Sequence, residues 1–148
     1  MARISHQLRM VVVVLIALIG LGNLGRAAMA LYYARVLPDL PLTVPWAYLA
    51  GMGAFWGVGL MVCAVGLQLR RPWSRAATLT SATLYQAHVW LNHLLFDASD
   101  YARQTWPRNA ALSALFLIVV WGVLFLPSVR RLWIGQDQTH TKTQRHKE

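Results

Sequence analysis

Four stretches of mostly apolar residues follow one another along the chain, separated by short polar links. A helix needs about 20 apolar residues to cross the hydrocarbon core of a bilayer, and each stretch is long enough. None shows the strict alternation of apolar and polar residues that is typical of membrane β-strands. The pattern predicts four transmembrane helices, at residues 10–34, 46–69, 76–96 and 110–129.

The links between these stretches set the expected topology. Short links place successive helices side by side and antiparallel, so we expect an all-α integral membrane four-helix bundle of up-down topology at residues 10–133. Pro45 is predicted at the first position of the second helix, and Ser74 at the N-cap of the third. Residues 1–9 form a short preceding segment. Residues 134–148 contain one aliphatic side chain and predict a disordered basic tail.

The start of the chain also has the pattern of a secretory signal peptide. Arg3 and Arg9 precede an apolar stretch, which leads to an A-x-A motif at residues 28–30. However, the apolar character continues to Ala34, and Arg26 would lie close to the cleavage site. These two features favour an uncleaved first transmembrane helix.

The composition supports a membrane location. Hydrophobic residues make up 57% of the 148-residue chain and charged residues only 13%, which is about half the usual charged share. A soluble domain could not cover its surface with so few charges, and a nucleic-acid-binding domain is disfavoured for the same reason, despite a net charge of +9. Cys63 is the only cysteine, which excludes an intrachain disulfide and a cysteine metal cluster. Arginine outnumbers lysine twelve to two, which is typical of a GC-rich bacterial genome.

The positive charges fall mainly on one side of the expected topology. With four helices, both termini and the middle link share one side, which holds ten cations against three on the other. Because Lys and Arg collect on the cytoplasmic side, both termini are predicted to be cytoplasmic, in a multi-pass protein of the inner (plasma) membrane. The ten are Arg3, Arg9, Arg70, Arg71, Arg75, Arg130, Arg131, Lys142, Arg145 and Lys147, and the three are Arg35, Arg103 and Arg108.

The third apolar stretch carries a polar stripe. Its members recur at steps of three and four residues, so they lie on one face of a helix. Such a face is costly against lipid, and it must therefore face the interior, a water-filled cavity or a partner. The polar stripe consists of Thr78, Ser81, Tyr85, His88 and Asn92, and it is flanked by Gln86 and His93.

Two residues of the first helix fall at the depth of the polar stripe. At about 1.5 Å per residue, Asn23 lies about 20 Å from the inner edge and His88 about 18 Å, while Arg26 is level with Asn92. Two interpretations of Arg26 remain open. Its side chain extends to the outer interface, or it lines an outward-facing pocket for an anion or a polar head group. The tentative ligand-binding residues are Asn23, Arg26, Tyr85, His88 and Asn92.

The second helix is rich in glycine, and four of its glycines are predicted helix-packing positions. Gly53 and Gly57 form a GxxxG pair, which permits close contact between helix backbones. Packing within the bundle and packing against a second chain need the same small residues, so both alternatives remain open. The four positions are Gly53, Gly57, Gly59 and Gly66.

The sequence offers little support for catalysis or for a bound cofactor. His88 and His93 lie on one helix and point in different directions, which disfavours haem ligation within the chain. The spacing of His93, Asp97 and Asp100 can hold a metal, but it also fits an ordinary His–Asp pair. We therefore expect no catalytic residues, no metal and no cofactor, and the balance is against an enzyme.

Two main hypotheses about function follow. The first is a non-enzymatic subunit or interaction partner in a membrane assembly or homo-oligomer, for which the glycine-rich second helix is the motivation. The alternative is a small-molecule binder or transporter with an outward-facing polar pocket between helices 1 and 3. An enzyme that uses His88, or His93 with Asp97, has less support. In each case the lipid bilayer is a partner and nucleic acid is not.

Overall fold

The computed structural model is helical throughout the long described segments. It contains helices α1 (Ala2–Val36), α2 (Trp46–Gln68), α3 (Ser74–Phe96) and α4 (Asp100–Phe125). The described backbone covers residues 2–37, 44–96, 100–127 and 129, and the described side chains cover residues 6–37, 44–96, 105–127 and 129.

Three of the helices are long and apolar enough to cross a membrane. The qualifying segments are His6–Val36, Trp46–Gln68 and Thr105–Phe125. α3 is long enough but does not qualify, because the polar stripe lowers its hydropathy. The prediction of an all-helical chain is confirmed for the described residues, and three of their helices are long and apolar enough to cross a membrane where four were expected.

Two helices begin many residues before their predicted starts. α1 begins at Ala2 and not at residue 10, and α4 begins at Asp100 and not at residue 110. Hydropathy underestimates both lengths, because polar residues end an apolar segment without ending a helix. α4 even continues through Pro107, which lacks the backbone N–H of an ordinary helical residue.

The most extensive contact between helices joins α1 to α2, and glycines of α2 make it possible. A Cβ atom at Gly53 would lie 2.9 Å from the carbonyl oxygen of Asn23, and one at Gly57 would lie 2.7 Å from the side chain of Leu24. The GxxxG pair therefore brings two helices of one chain together and needs no second chain.

The other two predicted packing glycines differ from each other. A Cβ atom at Gly66 would lie 2.7 Å from the ring of Trp73 and 3.0 Å from the side chain of Ser74. A Cβ atom at Gly59 would meet nothing within 4 Å among the described residues. A packing role for Gly59 therefore stays a prediction.

α2 ends in a Schellman motif that lacks the usual glycine. Arg70 has a positive φ of 55°. The amide of Arg71 donates to the carbonyl of Gly66 at 3.0 Å, and the amide of Arg70 donates to the carbonyl of Leu67 at 3.2 Å. An L-residue in this conformation costs about 1–2 kcal/mol, which is why glycine is common there.

α3 begins directly after this turn. The amide of Ala77 donates to the carbonyl of Trp73 at 3.0 Å, which makes Trp73 the N-cap residue. The prediction that Ser74 caps α3 is wrong, because its hydroxyl donates to the carbonyl of Arg71 at 2.6 Å within the turn. Pro45 also lies one position earlier than predicted, as the N-cap of α2.

The apolar core lies near the α2–α3 connection (residues 69–73), which we call the turn end. The loop end is the opposite end, where α1 and α3 finish and α2 begins. All four helices contribute buried core side chains: Val12, Ile16, Leu60, Leu67, Ala82, Val120 and Leu124.

Arg75 of α3 stabilises the last turn of α4 at the turn end. Its Nε donates to the carbonyl of Leu124 at 2.8 Å, and its guanidinium lies 4.9 Å from the ring centre of Phe125. This contact satisfies one of the carbonyls that a helix end leaves free. α4 ends at Phe125, ahead of Pro127 and before the predicted residue 129, because a proline disfavours helix in the residue before it.

Candidate functional site

The polar stripe of α3 faces α2 and α1. Toward the turn end, Thr78 is fully buried, and the thiol of Cys63 contacts the hydroxyl of Ser81 at 3.6 Å. Toward the loop end, the Nδ2 of Asn23 donates to the hydroxyl of Tyr85 at 3.1 Å and to the carbonyl of Ile19 at 2.9 Å. The amide of Asn23 therefore joins α1 to α3.

A second polar connection joins α2 to α3. The hydroxyl of Tyr48 donates to Oδ1 of Asn92 at 2.8 Å, and Nδ2 of Asn92 lies 2.9 Å from Nε2 of His88. Asn92 thus links the Tyr48 hydroxyl of α2 to the His88 ring on its own helix.

These two connections border one cavity of about 40 Å³, which we call the inner cavity. All five tentative ligand-binding residues line it, together with residues of α2 that the sequence had not singled out. The volume has room for a few water molecules or one small functional group. The lining residues are Asn23, Arg26, Tyr48, Leu49, Met52, Gly53, Trp56, Tyr85, His88, Val89 and Asn92.

A larger cavity of about 250 Å³ lies beside the inner cavity, toward the loop end, and we call it the vestibule. Five residues border both spaces, which makes the two cavities neighbours: Arg26, Tyr48, Leu49, Val89 and Asn92. The vestibule is completed by Val44, His93 and Phe96. Its volume approaches the lower range of small-molecule sites.

Arg26 lies at the junction of the inner cavity and the vestibule. Its side chain is exposed, so the guanidinium has access to the surroundings while it lines both spaces. The described residues around both spaces include no carboxylate. Asp97, which follows the end of α3, lies outside the described residues.

Trp56 supplies a further donor group to the inner cavity. Its ring packs against Tyr85 and His88, with centroid distances of 5.5 and 5.7 Å. Its indole N–H is buried and has no hydrogen-bond partner in the described part of the chain. Buried donors are normally satisfied, so this N–H is an unsatisfied donor in the wall of the inner cavity.

Sequence reasoning missed the contribution of α2 to this site. Tyr48, Met52 and Trp56 recur at steps of four, which places them on one helical face. This signal was present, but a tyrosine near the start of a membrane helix is also typical of the lipid interface, and a mid-helix tryptophan is an ordinary apolar residue. Aromatic residues therefore did not stand out as polar groups do.

The flanking residues of the polar stripe face α4. Gln86 donates a hydrogen bond to the hydroxyl of Ser113. Near it, a separate cavity of about 230 Å³ lies between α3 and α4. His93 borders both this cavity and the vestibule. The cavity is lined by Val89, Trp90, His93, Asn109, Leu112 and Ser113.

Of the three residues proposed for a metal, His93 has its side chain in the described part of the chain. No group of three His, Cys, Asp or Glu side chains with metal-binding geometry occurs among the described residues. Asp97 and the side chain of Asp100 lie outside the described part of the chain, so the spacing with His93 stays a sequence pattern.

Comparison of the chain with models of protein families, with curated proteins and with solved structures gives no match.

Proposed function

We propose that this protein binds a small anionic molecule, such as a short carboxylate, in the inner cavity and the vestibule. One observation carries the proposal: polar side chains of α1, α2 and α3 converge on a single space that Arg26 also lines. Binding of such an anion fits a binding protein in the membrane, or the substrate-binding step of a transporter.

The chemistry of the lining supports an anion over a cation. Arg26 supplies a permanent positive charge, and Trp56 supplies an indole N–H without a described partner. Arginine recognises carboxylates through paired N–H groups, and such charged hydrogen bonds are stronger than neutral ones. A single cation among neutral donors suits a monoanion, and the volume suits one of few atoms.

We further infer that the four helices form an up-down-up-down bundle with both termini in the cytoplasm of a bacterial cell. The ten-to-three distribution of cations in the sequence supports this orientation. The contacts of Gly53 with Asn23, and of Tyr48 with Asn92, suit antiparallel neighbours. In this arrangement the vestibule faces away from the cytoplasm, and the protein spans the inner membrane.

Substitution of Arg26 tests the binding proposal. The protein is purified in mild detergent, and its thermal midpoint is followed during titration with acetate or lactate. The wild-type protein is expected to be stabilised by at least one of them. Arg26→Gln is expected to weaken the apparent affinity by about ten- to hundredfold, because a hydrogen bond to a charged group is lost.

Arg35→Gln is the matched control. Arg35 is exposed on the same helix, nearer the loop end, and it does not line either space. This variant is expected to keep the response of the wild-type protein. An equal loss of affinity in both variants would mean that general surface charge causes the response, and it would contradict a site at Arg26.

A second candidate function is that of a subunit in a homo-oligomer or larger membrane assembly. It is favoured by glycines with open space beside them: Gly22 and Gly25 on α1, and Gly51 and Gly59 on α2. Small residues are typical of contacts between membrane helices. Chemical cross-linking in native membranes tests this function, and a protein that stays monomeric and co-purifies with no partner would argue against it.

A further inference from the structure

Arg9 lies at the turn end and is one of the most buried residues of α1. It is 2% exposed, although the sequence placed it among the solvated cytoplasmic cations. Its Nε and Nη1 are buried without a hydrogen-bond partner in the described structure. A buried cation without a partner is strongly unfavourable, so a buried guanidinium normally has a counter-charge.

A second cation lies at the same end of the helices as Arg9. Val12 and Leu67, three residues from Arg9 and Arg70 respectively, belong to one buried cluster, and the positive charge of Arg70 in the α2–α3 turn acts against that of Arg9. The backbone of Arg70 has the positive φ described above, so this cation is placed there at a conformational cost. No carboxylate has its side chain among the described residues, so none of them neutralises the pair.

We propose that Arg9 and Arg70 bind one phosphate group at the turn end. Two guanidinium groups suit a multiply charged oxyanion, because each offers a planar set of N–H donors that matches phosphate geometry. The oxyanion would give Nε and Nη1 of Arg9 their missing acceptors and would remove the repulsion from Arg70. A phospholipid head group and inorganic phosphate share this chemistry. The site lies at the opposite end of the molecule from the inner cavity, so it does not depend on the proposed function.

The experiment compares two sources of phosphate on the full chain. The purified protein is exchanged into a detergent without phosphate groups, and its thermal midpoint is measured after addition of inorganic phosphate or of phosphatidylglycerol. Ligand at about a hundredfold excess over its Kd is expected to raise the midpoint by about 5 °C. A response to both supports a general phosphate site, a response to the lipid alone identifies a head group, and a response to phosphate alone identifies the free ion.

Variants of two neighbouring arginines locate the response. Arg9→Gln is expected to abolish it, and Arg9→Lys to retain part of it, because lysine keeps the charge without the planar donor set. Arg71→Gln is the matched control: Arg71 is exposed in the same turn and should keep the full response. An equal reduction in Arg71→Gln and Arg9→Gln would show general surface attraction and overturn the proposal.

Two further results would also overturn it. The first is a wild-type protein whose midpoint responds to neither source. The second concerns the double variant Asp137→Asn/Glu148→Gln. The proposal fails if this variant lowers the thermal midpoint as much as Arg9→Gln does, and if adding Arg9→Gln to it lowers the midpoint no further. In that case a carboxylate of the tail, and not a phosphate, would neutralise Arg9. Native mass spectrometry of the wild-type protein gives an independent measure, since retained phospholipid should be lost in Arg9→Gln.

Discussion

Asn23 contributes to the site through one amide that spans two helices. Its Nδ2 donates to Tyr85 of α3 and to the carbonyl of Ile19 in its own helix. Tyr85→Phe removes only the first bond and keeps the ring that packs against Trp56. We expect the free energy of unfolding to fall by about 0.6–1 kcal/mol, the range measured for hydrogen bonds between membrane helices and within proteins.

A double-mutant cycle with Asn23→Ala measures this interaction directly. If the hydrogen bond couples the two side chains, the double variant should be more stable than the sum of the single losses predicts, again by about 0.6–1 kcal/mol. Unfolding in mixed detergent, followed by circular dichroism, gives the four values. Strict additivity would mean that the two side chains do not interact.

Two variants of Arg70 distinguish the cost of its backbone conformation from the effect of its charge on stability. Its positive φ of 55° favours glycine. Arg70→Gly should therefore be more stable than Arg70→Ala by about 1 kcal/mol, since both remove the charge and only glycine relieves the strain. Chemical unfolding of the two variants, without phosphate, provides the comparison, and equal stabilities would show that the turn carries no strain at this residue.

The burial of Arg9 could not be predicted from the sequence, and the reason is physical. Arg9 comes before the apolar run of α1, where a cation is expected to meet water or head groups. Its burial depends on how the start of α1 packs against other helices at the turn end. That contact involves residues far apart in the chain, and hydropathy carries no information about it.

At the scale of the helices, the glycines of α2 make a sharp pair of predictions. A methyl group at Gly53 would lie 2.9 Å from the carbonyl oxygen of Asn23 in α1. A backbone atom cannot move to another rotamer as a flexible side chain can. Gly53→Ala is expected to cost about 1–3 kcal/mol, as overpacking does. Gly51→Ala, two residues earlier and in open space, should change stability by less than about 0.5 kcal/mol.

The same pair also tests whether α2 contacts a second chain. Thermal unfolding and cross-linking are measured for both variants. A monomer should lose stability in Gly53→Ala and keep it in Gly51→Ala. If Gly51→Ala instead reduces cross-linking, its open face is part of an interface between chains, and the second candidate function gains support.

The polar stripe shows how much of the site followed from a helical repeat. Steps of three and four predict that Tyr85, His88 and Asn92 share a face, and in the structure they line one cavity. Depth alone predicted that Asn23 and Arg26 lie level with the polar stripe, because two helices that run in the same direction rise equally per residue. The hydrogen bond from Tyr48 to Asn92 was not predictable, because it depends on the rotation of α2 about its own axis.

At the scale of the whole molecule, α3 poses the main question about the membrane. It is not apolar enough on its own to qualify as a membrane span. However, its polar stripe is covered by α1 and α2 through hydrogen bonds such as that of Asn23 with Tyr85, so lipid need not meet those groups. A helix of low hydropathy can thus cross a membrane when its neighbours cover its polar face.

Cysteine labelling distinguishes four membrane crossings from three. Cys63 is buried, so the wild-type protein should react little with a membrane-impermeant maleimide and serves as the baseline. Leu37→Cys places a thiol at the loop end, and Thr141→Cys places one in the tail. With four crossings and cytoplasmic termini, Leu37→Cys should react in intact bacterial spheroplasts, and Thr141→Cys only after the membrane is permeabilised.

Reaction of both thiols in intact spheroplasts would mean that α3 does not cross. The reverse order of reactivity would mean that the termini are outside, and that the ten-to-three distribution of cations does not determine the orientation of this protein.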